Sequence, residues 1–505
     1  MKQMKKILGI MLTMVLAVAM TIVIAPSRKV SAANFTIKMD GSGTTGHTYE
    51  IYQVFTGTVS DSGVLGEIKW GQNGKGGKEG DKVSNDILQE IQNISTKTDA
   101  EKRKAINKYV DMTKPYATIT GGGSATVPAG YYMIKDANDT LTEQNDAYTE
   151  YIFRVVKDIN VQPKASIPNS KKKIKDHDDT TGNTTDWQDS ADYDIGDKIP
   201  FQLEGRVADN MKSYAGKYRF VFHDKESEGL TFDSQSVKVY VDDQLITSGY
   251  EVVTNTDDND TFDIVFDDLK NIPQVQNNSM IKVDYESLLN DKAKIGEAGN
   301  PNEMYLEFSN NPNQDSDKKP ETGKTPVDKV IAFTYETVIN KVDQNNKPLK
   351  GAKFTLEKKI KGEGNAEDTW KSVGEYVEVN DSTTTTFTFK GLDDGQYRLK
   401  ETQTPDGYNS IDDIYFEITA THDVSSDDPK LLTLKGTNLG GGSVDRVFET
   451  DIKNGSITTK VINGSGALLP ETGGIGTKIF YVVGAIFVIG AAIILITKRR
   501  MSTRK

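Results

Sequence analysis

Polar side chains that strand periodicity turns towards the interior are the residues in this sequence with the clearest chemical potential. Successive side chains of a β-strand point to opposite faces, so residues two apart share a face. In five segments (KYRFVFHD, YLEFSNNP, FTYETVINK, YRLKET and FETDIKN) this alternation puts one polar residue among apolar ones. These residues are Asp224, Asn310, Lys341, Glu401 and Asn454. Burying such groups without partners costs several kcal/mol, so their shared orientation predicts that they meet.

The segment KKKIKD adds a second lysine, because Lys172 shares a face with Ile174. Two choices stay open at this point. Lys171 or Lys173 could take the place of Lys172, and Asn311 could take the place of Asn310.

A lysine, an asparagine and a carboxylic acid in an apolar core can react with one another. Burial lowers the pKa of an amine and raises the pKa of an acid, so both become neutral. The neutral amine can then attack the asparagine carbonyl carbon while the acid polarises the carbonyl and shuttles the proton. Ammonia leaves, and a side-chain amide cross-link remains.

The elements that must position these residues are mainly strands. QSVKVYVDD, TFDIVFDDL, MIKVDYESL and MYLEFSN alternate apolar and polar residues, as half-buried strands of sandwiches do. In the N-terminal region, VSNDILQEIQNI predicts a helix capped by Ser84 or Asn85. We predict a mainly β protein, with a mixed β/α N-terminal domain (34–164) and two immunoglobulin-like β-sandwiches (165–328 and 329–466).

Both ends of the chain carry targeting signals. Residues 1–33 combine three early lysines, an apolar run and a small-residue stretch, which is typical of a secretory signal peptide. In residues 467–505, an uncharged span (479–496) precedes a basic tail, which predicts a transmembrane helix with its tail in the cytoplasm. Everything between them is therefore expected outside the cell.

Composition excludes several classes of function. The net charge is −12, and without the eleven basic residues of the two ends it is −23, so nucleic acid is not an expected partner. The chain has no cysteine and only four scattered histidines, which argues against a secreted enzyme and against any cofactor. The acidic stretches at 176–179 and 257–260 lack the order of a calcium loop, so we expect solvated turns there and no metal site, with weak calcium binding left open.

The tetrapeptide PETG occurs twice, and its context separates the two copies. The copy at 320–323 is followed by a lysine, a threonine and a proline, as expected of a linker. The other copy lies within LPETG (Leu469, Pro470, Glu471, Thr472 and Gly473) and precedes the apolar span. This order resembles the cell-wall sorting signal of Gram-positive surface proteins. The resemblance implies that a sortase cuts between Thr472 and Gly473 and passes the Thr472 acyl group to an amine.

The two sandwich regions resemble the collagen-adhesin A-type and B-type domains of Gram-positive pilins. NKVDQNNKPLKGAKFTL, YRLKETQTPDGY and IKN carry the B-type resemblance, which implies an isopeptide bond Lys341–Asn454 with Glu401 as catalyst. VFHDKESEGLTF and LEFSNNP carry the A-type resemblance. It implies a bond between Lys172 and Asn310, with Asp224 as catalyst.

The stretch INVQPKAS resembles the pilin motif, whose lysine attacks the sortase acyl intermediate of the next subunit. Ile159, Val161, Pro163 and Lys164 fit the motif, whereas Val155, Gln162 and Ala165 depart from it. The resemblance implies a major pilin whose Thr472 is joined to Lys164 of its neighbour. Its partners would be sortase, identical subunits, minor pilins and peptidoglycan, with a host extracellular-matrix ligand left open. The alternative is a monomeric wall-anchored adhesin, which does not need Lys164.

Overall fold

The structure is a computed structural model that describes residues 33–40, 44–94, 97, 99–137, 141, 146–162, 167–254, 256, 259–312, 314, 319–373, 375–376, 384–441, 447–466 and 475–502. Most of these residues lie in strands that form separate sheets in three successive regions. The predicted mainly β fold, with immunoglobulin-like sandwiches behind a mixed region, is confirmed.

The N-terminal region combines two sheets with two helices. Its elements are β1 (Asn34–Met39), β2 (Thr48–Val59), β3 (Leu65–Trp70), α1 (Asn85–Asn93), α2 (Asp99–Asn107), β4 (Ala117–Thr120), β5 (Ser124–Pro128), β6 (Gly130–Asp136), β7 (Glu150–Val155) and β8 (Ile159–Val161). One sheet has the order β5-β1-β8, and the other has the order β3-β2-β6-β7 with β4 beside β2.

Helix α1 confirms the helix prediction. Ser84 is its N-cap in extended conformation, and Leu88 and Ile91 are buried on the predicted face. These residues pack in a core with aromatic side chains of the neighbouring sheet, including Phe55 and Trp70. The sequence analysis did not predict α2, whose residues DAEKRKAIN have a weak apolar periodicity.

The middle region is a sandwich of two sheets. Its strands are β9 (Asn169–Ile174), β10 (His177–Asp178), β11 (Asn183–Thr184), β12 (Ser190–Asp192), β13 (Lys198–Arg206), β14 (Phe220–Glu226), β15 (Leu230–Val241), β16 (Gln244–Ile246), β17 (Glu251–Val253), β18 (Phe262–Phe266), β19 (Met280–Leu289), β20 (Asn300–Ser309), β21 (Thr322–Lys324) and β22 (Asp328–Phe333). Short 3-10 helices occupy Met211–Ser213 and Leu269–Asn271.

The two layers of this sandwich enclose one apolar core. One sheet has the order β12-β22-β20-β14-β18-β17, and the other has the order β16-β15-β19-β13-β9. Strand β22 pairs antiparallel with β20 and parallel with β12. The sheet of the middle region therefore continues to Phe333, and we would place the boundary there rather than at residue 328.

The C-terminal region is a second sandwich, with five strands in each sheet. Its strands are β23 (Tyr335–Asp343), β24 (Lys353–Ile360), β25 (Thr369–Ser372), β26 (Glu375–Tyr376), β27 (Thr386–Leu392), β28 (Gly395–Gln403), β29 (Ile414–His422), β30 (Leu431–Gly440), β31 (Glu449–Asp451) and β32 (Ser456–Asn463). The sheets have the orders β26-β27-β23-β32-β31 and β25-β24-β28-β29-β30. The first and last long strands, β23 and β32, pair in parallel.

A single helix, α3 (Ile475–Ser502), follows the sandwiches. Its segment Tyr481–Arg499 is long and apolar enough to cross a membrane, and it packs against nothing else in the described chain. Exposed isoleucine, valine and phenylalanine side chains cover this segment. Such a surface is stable in lipid and not in water, as the predicted transmembrane role requires.

Candidate cross-linking sites

The orientation of strand β9 determines which of its three consecutive lysines is buried. Lys172 is fully buried beside Ile174, whereas Lys171 is exposed. Lys173 points the other way and pairs with Asp189. Strand β9 lies at the edge of its sheet, paired only with β13 among the described strands, so the Lys172 side chain enters the core from that edge.

Lys172 meets the predicted acid inside the sandwich. Its Nζ donates to Asp224 and to the hydroxyl of Tyr285, which lies 2.7 Å away. Tyr285 in turn donates to Asp224 over 2.9 Å. Burial lowers the pKa of Lys172, and the charge of Asp224 only partly offsets this shift. Burial likewise raises the pKa of Asp224, and the charge of Lys172 only partly offsets that shift. Both shifts favour a neutral amine beside a neutral acid.

The asparagine at this site is Asn302. Its side chain is fully buried, and its Nδ2 donates to the Tyr285 hydroxyl over 2.9 Å. The Tyr285 hydroxyl therefore contacts the amine, the acid and the amide together. The Oδ1 of Asn302 is buried with no hydrogen-bond partner within the described residues.

The structure places Asn302, and not the predicted Asn310, in the cluster around Lys172. Both asparagines lie on the same alternating face of β20 or its extension, but eight residues separate them, which is about 26 Å of extended chain. Asn310 lies at the far end, where its carbonyl accepts from the backbone of Tyr148 in the N-terminal region. The alternative, Asn311, lies at the same end and donates to Glu321.

A second acid, Glu226, adjoins this cluster and was not predicted. It is opposite Asn302 in the β14–β20 register. Its carboxylate accepts from Ser287 and lies 3.5 Å from Asn302 Nδ2. Burial, followed by the nearby charge of Asp224, raises the pKa of Glu226 to about 8.

The C-terminal region holds the other buried lysine. Lys341 on β23 is fully buried, in line with the apolar residues that share its face. Its Nζ donates to the backbone carbonyls of Val461, at 3.0 Å, and Val342, at 3.3 Å. Burial lowers the pKa of Lys341 to about 8, with a smaller opposing effect from Glu401.

The amide and acid of this site are Asn463 and Glu401. Asn463 ends β32, and its Nδ2 lies 3.0 Å from both carboxylate oxygens of Glu401 and 3.0 Å from the carbonyl of Asn409. In the parallel β23–β32 register, Lys341 is opposite Val461, and Asn463 is two residues further on the same face. Asn463 is fully buried, and its Oδ1 has no partner in the described chain.

The structure likewise places Asn463, and not the predicted Asn454, beside Glu401. Asn454 lies in an exposed turn before β32, where its side chain donates to Asp451 over 2.6 Å. It precedes the register position of Lys341 by seven residues, or about 23 Å of extended chain. A lysine side chain cannot span that distance.

The alternation of inward residues makes both asparagines candidates without selecting them. In SITTKVIN, the residues Ile457, Thr459, Val461 and Asn463 alternate inward, and all four are buried. In NEMYLEF, the inward series begins at Asn302. The sequence analysis instead followed β20 to its other end at Asn310, and it used the segment FETDIKN, which precedes β32.

Each site contains the three groups that amide formation requires. The amine nitrogen would form a bond to Cγ of asparagine, the Cγ–Nδ2 bond would break, and ammonia would carry away the amine proton. In the C-terminal site, rotation of the Asn463 amide by half a turn would present Oδ1 to Glu401, so that the protonated acid could polarise the carbonyl. No cofactor is required for this chemistry.

The N-terminal region contains a different buried ionic cluster. His47 is 2% exposed, with Nδ1 2.7 Å from Asp136 and Nε2 2.9 Å from Asp146. Hydrogen bonds to Asp136 and then Asp146 raise the pKa of His47 to about 10. The histidine is therefore a buried cation that joins the strand β6 to the segment before β7.

The residues of the predicted intersubunit linkage lie outside the described residues. This applies to Lys164 and to Leu469, Pro470, Glu471, Thr472 and Gly473. The described chain ends before the sorting signal at Gly466 and resumes at Ile475, the first residue of α3.

Two family descriptions match parts of the chain. The SpaA prealbumin-like fold domain matches residues 336–430, which lie in the C-terminal sandwich. The LPXTG cell wall anchor motif matches residues 462–502, which include the sorting signal and α3. The chain is thus an anchored surface protein whose precursor is held at the membrane until sortase cleaves it.

Comparison with individual proteins extends the likeness along the chain. The trypsin-resistant surface T6 protein of Streptococcus pyogenes serotype M6 is 26% identical over 424 residues, covering 71% of this chain and 73% of that protein. The solved T6 backbone pilin of the same serotype has a TM-score of 0.51 and 18% identity, and the match covers 87% of this chain and all of that one. The full-length major pilin SpaD of Corynebacterium diphtheriae gives a TM-score of 0.44 at 15% identity, over 86% of this chain and 98% of that one.

The fold and the two family matches follow one another along the chain. A three-region β fold, a prealbumin-like domain and an anchor motif occur in this order along the chain. In its β fold and its anchor motif the chain is similar to the backbone pilins of the Gram-positive, sortase-assembled type.

Proposed function

We propose that this pilin forms a covalent fibre whose two sandwich regions are each locked by a self-generated lysine–asparagine isopeptide bond. The bonds are Lys172–Asn302, assisted by Asp224, and Lys341–Asn463, assisted by Glu401. The observation that carries the proposal is that each fully buried lysine lies in one polar cluster with an acid and a fully buried asparagine.

The energetic argument supports reactive sites over passive ones. A buried lysine or acid without a cross-link is costly, and removing one partner of such a pair typically costs about 3–5 kcal/mol. Amide formation converts the amine and the amide into one neutral group and removes that cost permanently. A cysteine-free extracellular chain gains from it a cross-link of the kind that disulfides provide elsewhere.

Intact mass of the mature chain, residues 34–472, tests the proposal. Each bond expels one ammonia, so two bonds lower the mass by about 34 Da relative to the sequence. Peptide mapping should recover the pairs Lys172–Asn302 and Lys341–Asn463. The full sequence mass would refute both bonds.

Matched asparagine variants identify the reacting residues. Asn302→Ala and Asn463→Ala should each remove one bond, so each variant should show a mass deficit of only about 17 Da relative to its own sequence. Asn310→Ala and Asn454→Ala change the residues expected from the sequence. Both variants should keep the full mass deficit of about 34 Da, as the chain without substitutions does. The opposite pattern would restore the original assignment.

Subunit joining is proposed to link the Thr472 acyl group of one chain to Lys164 of the next. The resemblance of INVQPKAS to the pilin motif and the anchor match at residues 462–502 support it. Lys164→Ala should abolish the high-mass ladder on an immunoblot of the native host, while Lys171→Ala, a nearby exposed lysine, should leave it intact. A persistent ladder in Lys164→Ala would contradict the assignment, and a single band in the unaltered strain would favour a monomeric adhesin. Peptidoglycan, minor pilins and a host matrix ligand complete the proposed partners.

A further inference from the structure

Carboxylates from two regions converge at the junction between the middle and C-terminal sandwiches. Strand β12 ends at Asp192, and the turn between β27 and β28 carries Asp393 and Asp394. Hydrogen bonds from backbone amides hold the two regions together here. The Asp393 amide donates to the Asp194 carboxylate over 2.9 Å. The Ile195 amide also donates to the carbonyl of Gly391 over 3.0 Å.

A buried lysine neutralises one side of this junction. Lys358 is fully buried, and its Nζ lies 2.9 Å from Asp194, 2.9 Å from Asp393 and 3.2 Å from Asp179. Burial acts to lower the pKa of Lys358, but Tyr397 and the neighbouring carboxylates raise it above its ordinary value. Lys358 is therefore a fixed positive charge within the junction.

The other side of the junction carries more acid than this lysine can balance. Asp192 offers one ligand atom to a group with Asp393 and Asp394, in which the three oxygen atoms lie within 4.8 Å of one another. Asp192 also belongs to a second such group, with Asp176 and His422. The sequence analysis expected the stretch at 176–179 to be a solvated turn, but Asp176 is partly buried and faces this group.

An unsatisfied atom marks the centre of these groups. Asp192 is 2% exposed, and its Oδ2 is buried without a hydrogen-bond partner in the described part of the chain. Burial, and next the charge of Asp192 and hydrogen bonding to it, raises the pKa of the Tyr335 phenol. The phenol therefore lies close to Asp192, although neither its oxygen nor Oδ2 makes a hydrogen bond of ordinary geometry within the described residues. His422 Nε2 is 3.5 Å from the other oxygen, Oδ1, while its Nδ1 pairs with Ser190.

Burial prevents water from screening these negative charges. Asp192 and Asp393 are buried, and Asp176 and Asp394 are partly buried. Buried carboxylates that share a site are commonly paired with a cation or bind a metal ion.

We propose that Asp192, Asp393 and Asp394 bind one calcium-class divalent cation at this junction. Carboxylate oxygens are hard ligands that suit Ca²⁺, and Mg²⁺ gives up its water less readily to an all-protein site. Because Asp192 belongs to the middle region and the other two to the C-terminal region, the ion ties the two sandwiches together. The site does not depend on the proposed isopeptide bonds.

Calorimetric titration of the mature chain, residues 34–472, with CaCl₂ after EDTA treatment tests this site. Lys358 beside Asp393 opposes cation binding, so we expect one Ca²⁺ per chain with a dissociation constant on the order of 10⁻⁴ to 10⁻³ M. Thermal unfolding should shift to higher temperature over the same concentration range, because the ion binds only the folded junction. MgCl₂ should bind more weakly.

Variants locate the ion. Asp192→Asn and Asp394→Asn should each weaken binding at least about tenfold, because affinity follows the ligand charge. Asp263→Asn is the matched control. It removes a carboxylate from the separate cluster in which His223 Nδ1 lies 2.9 Å from Asp263, and it should leave binding unchanged. Absence of heat and of a thermal shift up to about 10 mM Ca²⁺ would overturn the proposal. Unchanged binding in folded Asp192→Asn or Asp394→Asn would overturn it equally.

Discussion

The two buried lysines differ in which reacting group the acid contacts. In the middle region Asp224 contacts the amine of Lys172, and Tyr285 connects both to Asn302. In the C-terminal region Glu401 contacts the amide of Asn463, while Lys341 donates to backbone carbonyls. The same three groups are thus arranged in two ways.

This difference indicates that the acid can begin proton transfer from either end. Asp224 can take the amine proton directly, whereas Glu401 is placed to protonate the leaving nitrogen or polarise the carbonyl. The difference also implies that the two sandwich regions are unequally stable before their isopeptide bonds form. The middle site is sealed from solvent, but Glu401 is only partly buried.

Removing the acid should give the largest effect and should separate the two sites. Asp224→Ala leaves a fully buried lysine without its acid, so we expect loss of the middle bond and destabilisation by about 3–5 kcal/mol. Glu401→Ala should also lose its bond but cost only about 1–3 kcal/mol, because Lys341 keeps its carbonyl partners. Intact mass and urea unfolding measure the two effects. Equal losses of stability would contradict the distinction between the sites.

Removing the shared hydroxyl should affect only the middle site. Tyr285→Phe keeps the ring but breaks three hydrogen bonds, so we expect the middle bond to form at least about tenfold more slowly after refolding. Mass spectrometry of timed samples follows the loss of ammonia. The C-terminal bond of the same molecule is the internal control, and a parallel delay there would show a general folding defect instead.

Alkaline pH should move the stabilities of two regions in opposite directions. In Asn463→Ala, Lys341 stays free, with a pKa near 8 in the folded state against 10.5 as the ordinary value. The unfolded chain then binds more protons between these values, so the C-terminal region should gain stability as pH rises from 8 to 10.5. The pKa of His47 is raised from 6.5 to about 10, so its contribution is complete below 6.5 and is lost as pH rises to 10.

Calorimetry of Asn463→Ala at a series of pH values would resolve the two transitions. Adding His47→Gln should flatten the pH dependence of the N-terminal transition and leave the C-terminal one unchanged. Both transitions moving in the same direction would count against these assignments.

The smallest effect is expected at the neighbouring lysine on the other face of β9. Lys173→Ala removes a partly exposed ion pair with Asp189, which is worth about 0–1 kcal/mol. The mass deficit should be unchanged. Loss of about 17 Da of that deficit would instead assign the reacting amine to Lys173.

Sequence patterns predicted the architecture well where periodicity is local. The alternation in QSVKVYVDD, TFDIVFDDL, MIKVDYESL and MYLEFSN corresponds to β15, β18, β19 and β20, and the capped helix at Ser84 is present. Helix α2 was missed because its apolar periodicity is weak, and tertiary packing of residues such as Ile106 stabilises it.

The candidate sites were predicted in part. Alternation turned Asp224, Lys341 and Glu401 inward and favoured Lys172 while leaving Lys171 and Lys173 open, and the family resemblance grouped these residues into two sites. Alternation could not choose between strand ends, because a period of two continues along the whole strand and several asparagines fit it. The choice of Asn302 and Asn463 depends on the pairing of β20 with β14 and of β32 with β23.

The sequence by itself determined the export and anchor signals, the β architecture and the buried lysines and acids, since each depends on local order or on alternation within one segment. Only the tertiary structure decided which asparagine joins the acid or tyrosine of each lysine site and which aspartates converge beside Lys358. These pairings join residues more than a hundred positions apart, such as Lys341 and Asn463. Their distances are fixed by strand register and by the docking of one sandwich on the other, which no local pattern records.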